Sequence, residues 1–285
     1  MIIIGGDITG KFVVPIVHRN GTATALFMGR DRRAENETEL KALRKAIANA
    51  GAYAFDTTEE EYAQYQGDQA AVDQLFKRFM LDRVQRWIDL AEERLKGSGV
   101  RCLVSGGNDD YFEVDDVLRR SELIEVPEGQ VIELVEGFSL LGVGFGNPTP
   151  WNCPRDISEE ELAGKIEAVA SKAADPDHAV FSLHVPPYGS GLDLAPRLDE
   201  NLRMVPGPGG AEMIPVGSTA VRDAIDRYRP RLALHGHIHE SRGVRKRKGT
   251  TIVNPGSEYG EGILDGALID LDRRKGVVNV QLVSG

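Results

Sequence analysis

Four short apolar runs in this chain each end in a residue able to bind a metal. Asp7 follows Ile2-Ile3-Ile4, Asn108 follows Leu103-Val104, His184 follows Phe181-Ser182-Leu183, and His237 with His239 follows Leu232-Ala233-Leu234. Runs of this length, bounded by Gly and Pro, read as buried strands. Segments with helical period lie between them, and strands alternating with helices point to an α/β fold. Loops at strand ends are where such folds assemble sites from residues distant in sequence. The pattern therefore constrains both the fold class and the place where chemistry can sit.

The last run is the densest. Leu234-His235-Gly236-His237-Ile238-His239 holds half of the six histidines. Side chains alternate faces along an extended chain, so His237 and His239 project to one side, and Gly236 clears space beside them. Two imidazoles converging at a strand end suit a divalent metal. A lone His-x-His reads better as a solvated strand end. The company of Asp7, Asn108 and His184 is what favours a site.

With 285 residues, 41% of them hydrophobic, the chain can bury a full core. No apolar run is long enough for a membrane span and no leader pattern is present, so a cytoplasmic location is expected. Two cysteines cannot make a disulfide framework. A net charge of -10 argues against generic binding to nucleic acid or anionic membrane, and leaves phosphorylated substrates open.

Local signals fill in the elements. An Asn20-Gly21 turn predicts a hairpin joining Phe12 to Val17 with Thr22 to Met28. From Asn36 the period becomes helical, with Leu40, Leu43 and Ile47 on one face and Gly51 as the stop. A longer helix is expected over Gln69 to Lys96, its stripe including Phe76, Phe79, Val84, Trp87 and Ile88 as core. Ser158 and Glu161 form a capping box, Ser218 caps another helix, and Pro186 to Gly217 reads as a long functional loop. The tail from Thr251 reads as hairpins that make a second sheet packed on the first. The whole is read as one domain over 1–285 with a helical insertion at about 30–97.

The order of these residues resembles the calcineurin-like metallophosphoesterase superfamily. Gly6-Asp7 matches its Gly-Asp motif, and Gly107-Asn108-Asp109-Asp110 its Gly-Asn-His-Asp/Glu motif. His184 matches the lone histidine after a strand, Gly236-His237-Ile238-His239 the Gly-His-x-His motif, and Asn254-Pro255-Gly256-Ser257 a turn that often follows. The resemblance implies a four-layer α/β/β/α sandwich. It also implies two divalent ions (Mn, Fe, Zn or Co), with Asp7 bridging them, Asn108, His184 and His237 completing one, and His239 serving the other. The implied activity is hydrolysis of a phosphorylated small molecule or nucleotide-type substrate by a metal-bound hydroxide.

Two departures shape that expectation. The family's first motif, Asp-x-His, is absent, so either a longer gene precedes Met1 or the first metal is weakened. Asp109 stands where many relatives place a histidine acid. An ionised carboxylate protonates leaving groups poorly, which favours phosphodiesters or activated esters, with Asp109 and Asp7 as the catalytic residues. The competing reading is a protein interaction module on the same fold with a degraded site.

Other motifs are weaker. Gly5 to Lys11 has P-loop spacing, but Phe12 replaces the Ser or Thr that would hold Mg²⁺. Arg242, Arg245, Lys246, Arg247 and Lys248 read as a solvated hairpin tip. His235 reads as a histidine that either supports the metal ligands from behind or simply packs, His178 after Asp175-Pro176-Asp177 as a loop residue, and His18 as lying near the hairpin turn.

Overall fold

The computed structural model describes every residue except Glu136, Ala174, Pro176 and Asp177. Pro176 and Asp177, in the loop expected ahead of His178, thus lie outside the described residues. The chain divides into two compact units, one of Met1–Ile8, Ala91–Ser257 and Leu264–Gly285, the other of Thr9–Leu90 and Glu258–Ile263.

In the first unit the central sheet has six strands. Their order is Gly243–Arg247, Thr250–Asn254, Leu232–Leu234, Ala179–Leu183, Ser139–Val143 and Val131–Glu133. The inner four are parallel and the two outer strands antiparallel to their neighbours. Parallel strands are covered on both faces, which is why Ala179–Leu183 is an unbroken buried run. Phe181 and Leu183 point to the face covered by helices Glu159–Ala170 and Thr219–Tyr228, through Leu162, Ile166, Val221 and Ile225. Val180, with Leu140, Leu232 and Val253, points the other way. It meets Leu103, Ile3 and the apolar face of the C-terminal hairpin, Ile269, Leu271, Val280 and Leu282.

That second face brings the other strands into place. Ile2–Gly5 pairs in parallel with Cys102–Ser105, which pairs in parallel with Ile124–Glu125. The expected tail hairpin is Asp265–Asp272 with Gly276–Ser284. The α/β class follows from these elements, and no helix among the described residues is long and apolar enough to cross a membrane.

Helix starts follow their caps. Ser158 and Glu161 exchange the two bonds of a capping box. Glu159 reaches the next helix, accepting from Ser218 Oγ at 2.7 Å and from the amides of Thr219 and Ala220. A carboxylate there satisfies amides that have no partner within their own helix.

Part of the basic run is paired rather than merely solvated. Arg247 holds the Asp226 carboxylate with two bonds of 2.5 and 2.6 Å, and Lys248 adds a third contact at 3.1 Å. Their hydrogen bonds and charge, set against a smaller desolvation, lower the Asp226 pKa to about 2. A lowered carboxylate pKa contributes stability above the ordinary value near 4, and that contribution is lost as pH falls through about 2. Asp226→Asn should therefore cost about 1–2 kcal/mol at neutral pH and only a small fraction of that near pH 2. Urea titrations at both pH values check this; an equal loss at each would contradict the pairing.

The second unit corrects the expectation of a purely helical insertion at about 30–97. Arg30–Ala34 and Ala52–Thr58 are strands, joined with Phe12–Arg19 and Thr22–Phe27 into a four-stranded sheet. The hairpin is as expected: Arg19 faces Thr22 across Asn20 and Gly21, at φ 48° and 78°, a two-residue turn of the primed kind. Helix Glu37–Asn49 lays Leu40, Leu43 and Ile47 on one face of the sheet, against Val14, Ile16 and Phe27. On Ala52–Thr58, Tyr53 stacks near Phe79, and Phe55 meets Phe79 and Tyr65 edge-on. The long helix, Gln69–Leu95, buries Leu75, Met80, Val84 and Ile88. Trp87, expected in that core, is 47% exposed.

Candidate metal centre

Backbone approach comes first. Gly6 and Asp7 both adopt positive φ, turning the chain sharply off Ile2–Gly5. A Cβ on Gly6 would strike the His184 ring and the Gly107 backbone, and a Cβ on Gly107 would strike Asp7. Only glycine allows the two loops and the imidazole to close this far. Asp110, fully buried, then ties the loops together. Its Oδ2 accepts from Ile8 N at 3.0 Å and from Gly107 N at 2.7 Å.

Four side chains converge in the space so formed. His184 Nδ1 donates to Gly5 O at 2.9 Å, which aims Nε2 inward, 3.1 Å from Asp7 Oδ2 and 3.2 Å from Asn108 Oδ1. His237 Nδ1 lies 2.9 Å from the same Asn108 oxygen. The ligand atoms of Asp7, His184 and His237 lie within 4.8 Å of one another, as do those of Asp7, Asp109 and Asp110. Asp7 belongs to both groups. Its Oδ1 also receives the Asp109 amide at 3.4 Å.

The two inner histidines titrate in opposite directions. Burial alone would lower the His184 pKa, but the charge and hydrogen bond of Asp7, with the Gly5 carbonyl, raise it to about 9. Burial, reinforced by the charge on His184, lowers the His237 pKa to about 4. Among these donors a proton on His184 Nε2 holds two oxygens together, which is the work a cation would do. One carboxylate oxygen, one amide oxygen and two imidazole nitrogens fit a divalent ion of the borderline class. The residues present suit a metal.

The other expected residues fall as follows. Asp109 lies beside Asp7 in the second acidic group. His239 is half-buried, and its charge acts on His237, but among the described residues it belongs to neither tight group. His235 is buried and packs as expected, its Nδ1 shared between the carbonyls of Leu183 and Val185 at 2.7 and 3.0 Å. Its Nε2 is buried without a hydrogen-bond partner, and burial lowers its pKa to about 4. Asn254 shapes a turn: its Nδ2 donates to Ile238 O and its Oδ1 accepts from Gly256 N.

Sequence reasoning missed the bracing. Arg155 is fully buried and gives Asp115 two bonds, of 2.9 and 3.2 Å. Its Nε and Nη2 donate to the carbonyls of Asp110 and Tyr111, and its amide to Asn108 O. Asp156, the next residue, accepts from Asn108 Nδ2 at 2.8 Å. Neither residue carries a periodic or motif signal; an Arg-Asp pair in a Pro-rich loop reads as surface.

No family model matches the sequence. An uncharacterized protein of Methanocaldococcus jannaschii, MJ1162, is 31% identical over 152 residues. That match takes in 52% of this chain and spans 61% of the relative's own length. A crystal structure superposes with a TM-score of 0.51 at 17% identity, covering 95% of this chain and 97% of its own. The protein TT1561 of Thermus thermophilus superposes with a TM-score of 0.46 at 14% identity, covering 97% of this chain and 99% of its own. At 17% identity, what this chain and the crystal structure have in common is the fold.

Proposed function

We propose that this chain is a metal-dependent phosphoesterase built on a four-layer α/β/β/α sandwich. The observation that carries the reading is the convergence of Asp7, Asn108, His184 and His237, from four separate strand ends, onto one point. The sharing of Asp7 between two ligand groups supports a bridging carboxylate and a pair of ions, Mn, Fe, Zn or Co, with His239 toward the second. Such a pair supplies Lewis acidity to a phosphoryl group and an activated water at neutral pH. The chain's own part is to hold that geometry. His184 is locked by the Gly5 carbonyl, Asn108 by Asp156, and the Asp7 turn by Asp110.

The substrate class follows from Asp109. A carboxylate beside cations stays ionised and is a poor proton donor, so leaving groups that need no protonation are favoured. Phosphodiesters and activated esters of small molecules or nucleotides fit this description. Manganese-loaded, desalted protein should retain about two ions per chain by elemental analysis and hydrolyse bis(p-nitrophenyl) phosphate. A chain that retains no ion and hydrolyses nothing would be an interaction module on this fold, the reading that Asp109 favours.

A further inference from the structure

We infer that Asp156 is a positioning residue that sets which end of the Asn108 amide faces the metal-binding cluster; this rests on the metal reading above. A side-chain amide has an oxygen and a nitrogen of nearly equal size, so shape alone does not choose between its two orientations. Only the oxygen can bind a cation. The polarity must come from a neighbour.

On the inner side of the Asn108 amide stand His184 Nε2 and His237 Nδ1, at 3.2 and 2.9 Å from its oxygen. Once a cation takes their lone pairs, these nitrogens carry no proton to offer the amide oxygen, so they do not fix which end of the amide faces them. On the outer side stands Asp156 Oδ1, 2.8 Å from Asn108 Nδ2. An ionised carboxylate only accepts, so it admits only the NH₂ end.

Asp156 is itself held. Its Oδ2 receives Thr149 N at 3.0 Å, Thr149 Oγ1 at 2.5 Å and Cys153 N at 2.9 Å. The flanking backbone is anchored as well: Arg155 N donates to Asn108 O, and Gly146 N to Arg155 O. The loop from Thr149 to Asp156 is thus wound around one carboxylate, and the other oxygen of that carboxylate orients the amide.

This arrangement makes a polarity prediction. In Asp156→Asn the oxygen of the new amide must stay with the three loop donors, so its NH₂ faces Asn108. Two NH₂ groups repel, and Asn108 turns its oxygen outward and its nitrogen toward the cluster. A carboxylate at position 108 has no such polarity. The exchanged pair N108D/D156N therefore accepts from the new amide and still offers an oxygen inward, with total charge unchanged.

The test is manganese binding by titration calorimetry on the full chain, with the thermal midpoint of each unloaded variant measured alongside. D156N is expected to weaken manganese binding about 10- to 100-fold. N108D/D156N should recover to within about threefold of the parent, whatever midpoint the two variants share. Unchanged affinity in D156N, or an exchanged pair that binds no better than D156N, overturns the inference while leaving the metal reading in place. A parent protein that binds no manganese overturns the metal reading and this inference with it.

Discussion

Arg155→Ala should cost about 3–5 kcal/mol of folding stability, because it takes two direct bonds from a buried carboxylate. The guanidinium is fully buried, and the Asp115 side chain is 8% exposed. Removing the cation leaves the buried Asp115 with only the partly exposed Arg119 guanidinium, 3.9 Å away, as its charge partner, a weaker pairing than the two direct bonds it loses. It also frees the carbonyls of Asp110 and Tyr111, which otherwise accept from Nε and Nη2. The guanidinium packs tightly besides, since a Cβ on Gly106 would lie 2.8 Å from it. Arg155→Lys cannot reproduce the paired bonds to Asp115 and should lose more than half as much. Removing both charges in Arg155→Met with Asp115→Leu should recover part of the loss, because the carboxylate that lost its two bonds is then gone as well. Urea midpoints of the four proteins check this. A loss below about 1 kcal/mol in Arg155→Ala would mean that the pair is not held as described.

The same residue marks where sequence reading stops. The four apolar runs, the Asn20-Gly21 turn and the Ser158 capping box were legible because each is a local rule with a residue signature. Asp7, Asn108, His184 and His237 were legible as a group because each follows an apolar run that forms a strand, and parallel pairing sets the strand ends side by side, the first two in one sheet and the last two in another. Strand order was not legible, since pairing is a long-range property. The strand Ala52–Thr58 was hidden between two strong helical patterns, and its buried Tyr53, Phe55 and Thr57 are a signal of period two that is easily absorbed into them. Arg155 and Asp156 were invisible for a different reason. Buried charge is exceptional, so a charged loop residue reads as surface until its partners are seen. These two brace Asn108 and its loop, and neither of them has a spacing rule.

His184→Ala is expected to abolish phosphodiester hydrolysis, by about a thousandfold or more, and to weaken manganese binding at least about a hundredfold. The ring takes part in three contacts at once: Nδ1 with Gly5 O, and Nε2 with Asp7 Oδ2 and Asn108 Oδ1. It also packs edge-on against His237, with centroids 5.2 Å apart. On the proposed reading truncation removes a metal ligand, and it also takes from Asp7 and Asn108 their common partner, two effects that need separating from simple loss of fold. His235→Ala provides the comparison. His235 is equally buried and also ties strand ends together, through the carbonyls of Leu183 and Val185, but offers no atom to either ligand group. It should lower the thermal midpoint as His184→Ala does, while manganese affinity and turnover in the folded protein stay within a few-fold of the parent. If the two substitutions reduce activity equally at matched folded fractions, the losses come from packing, and His184 does not bind the metal.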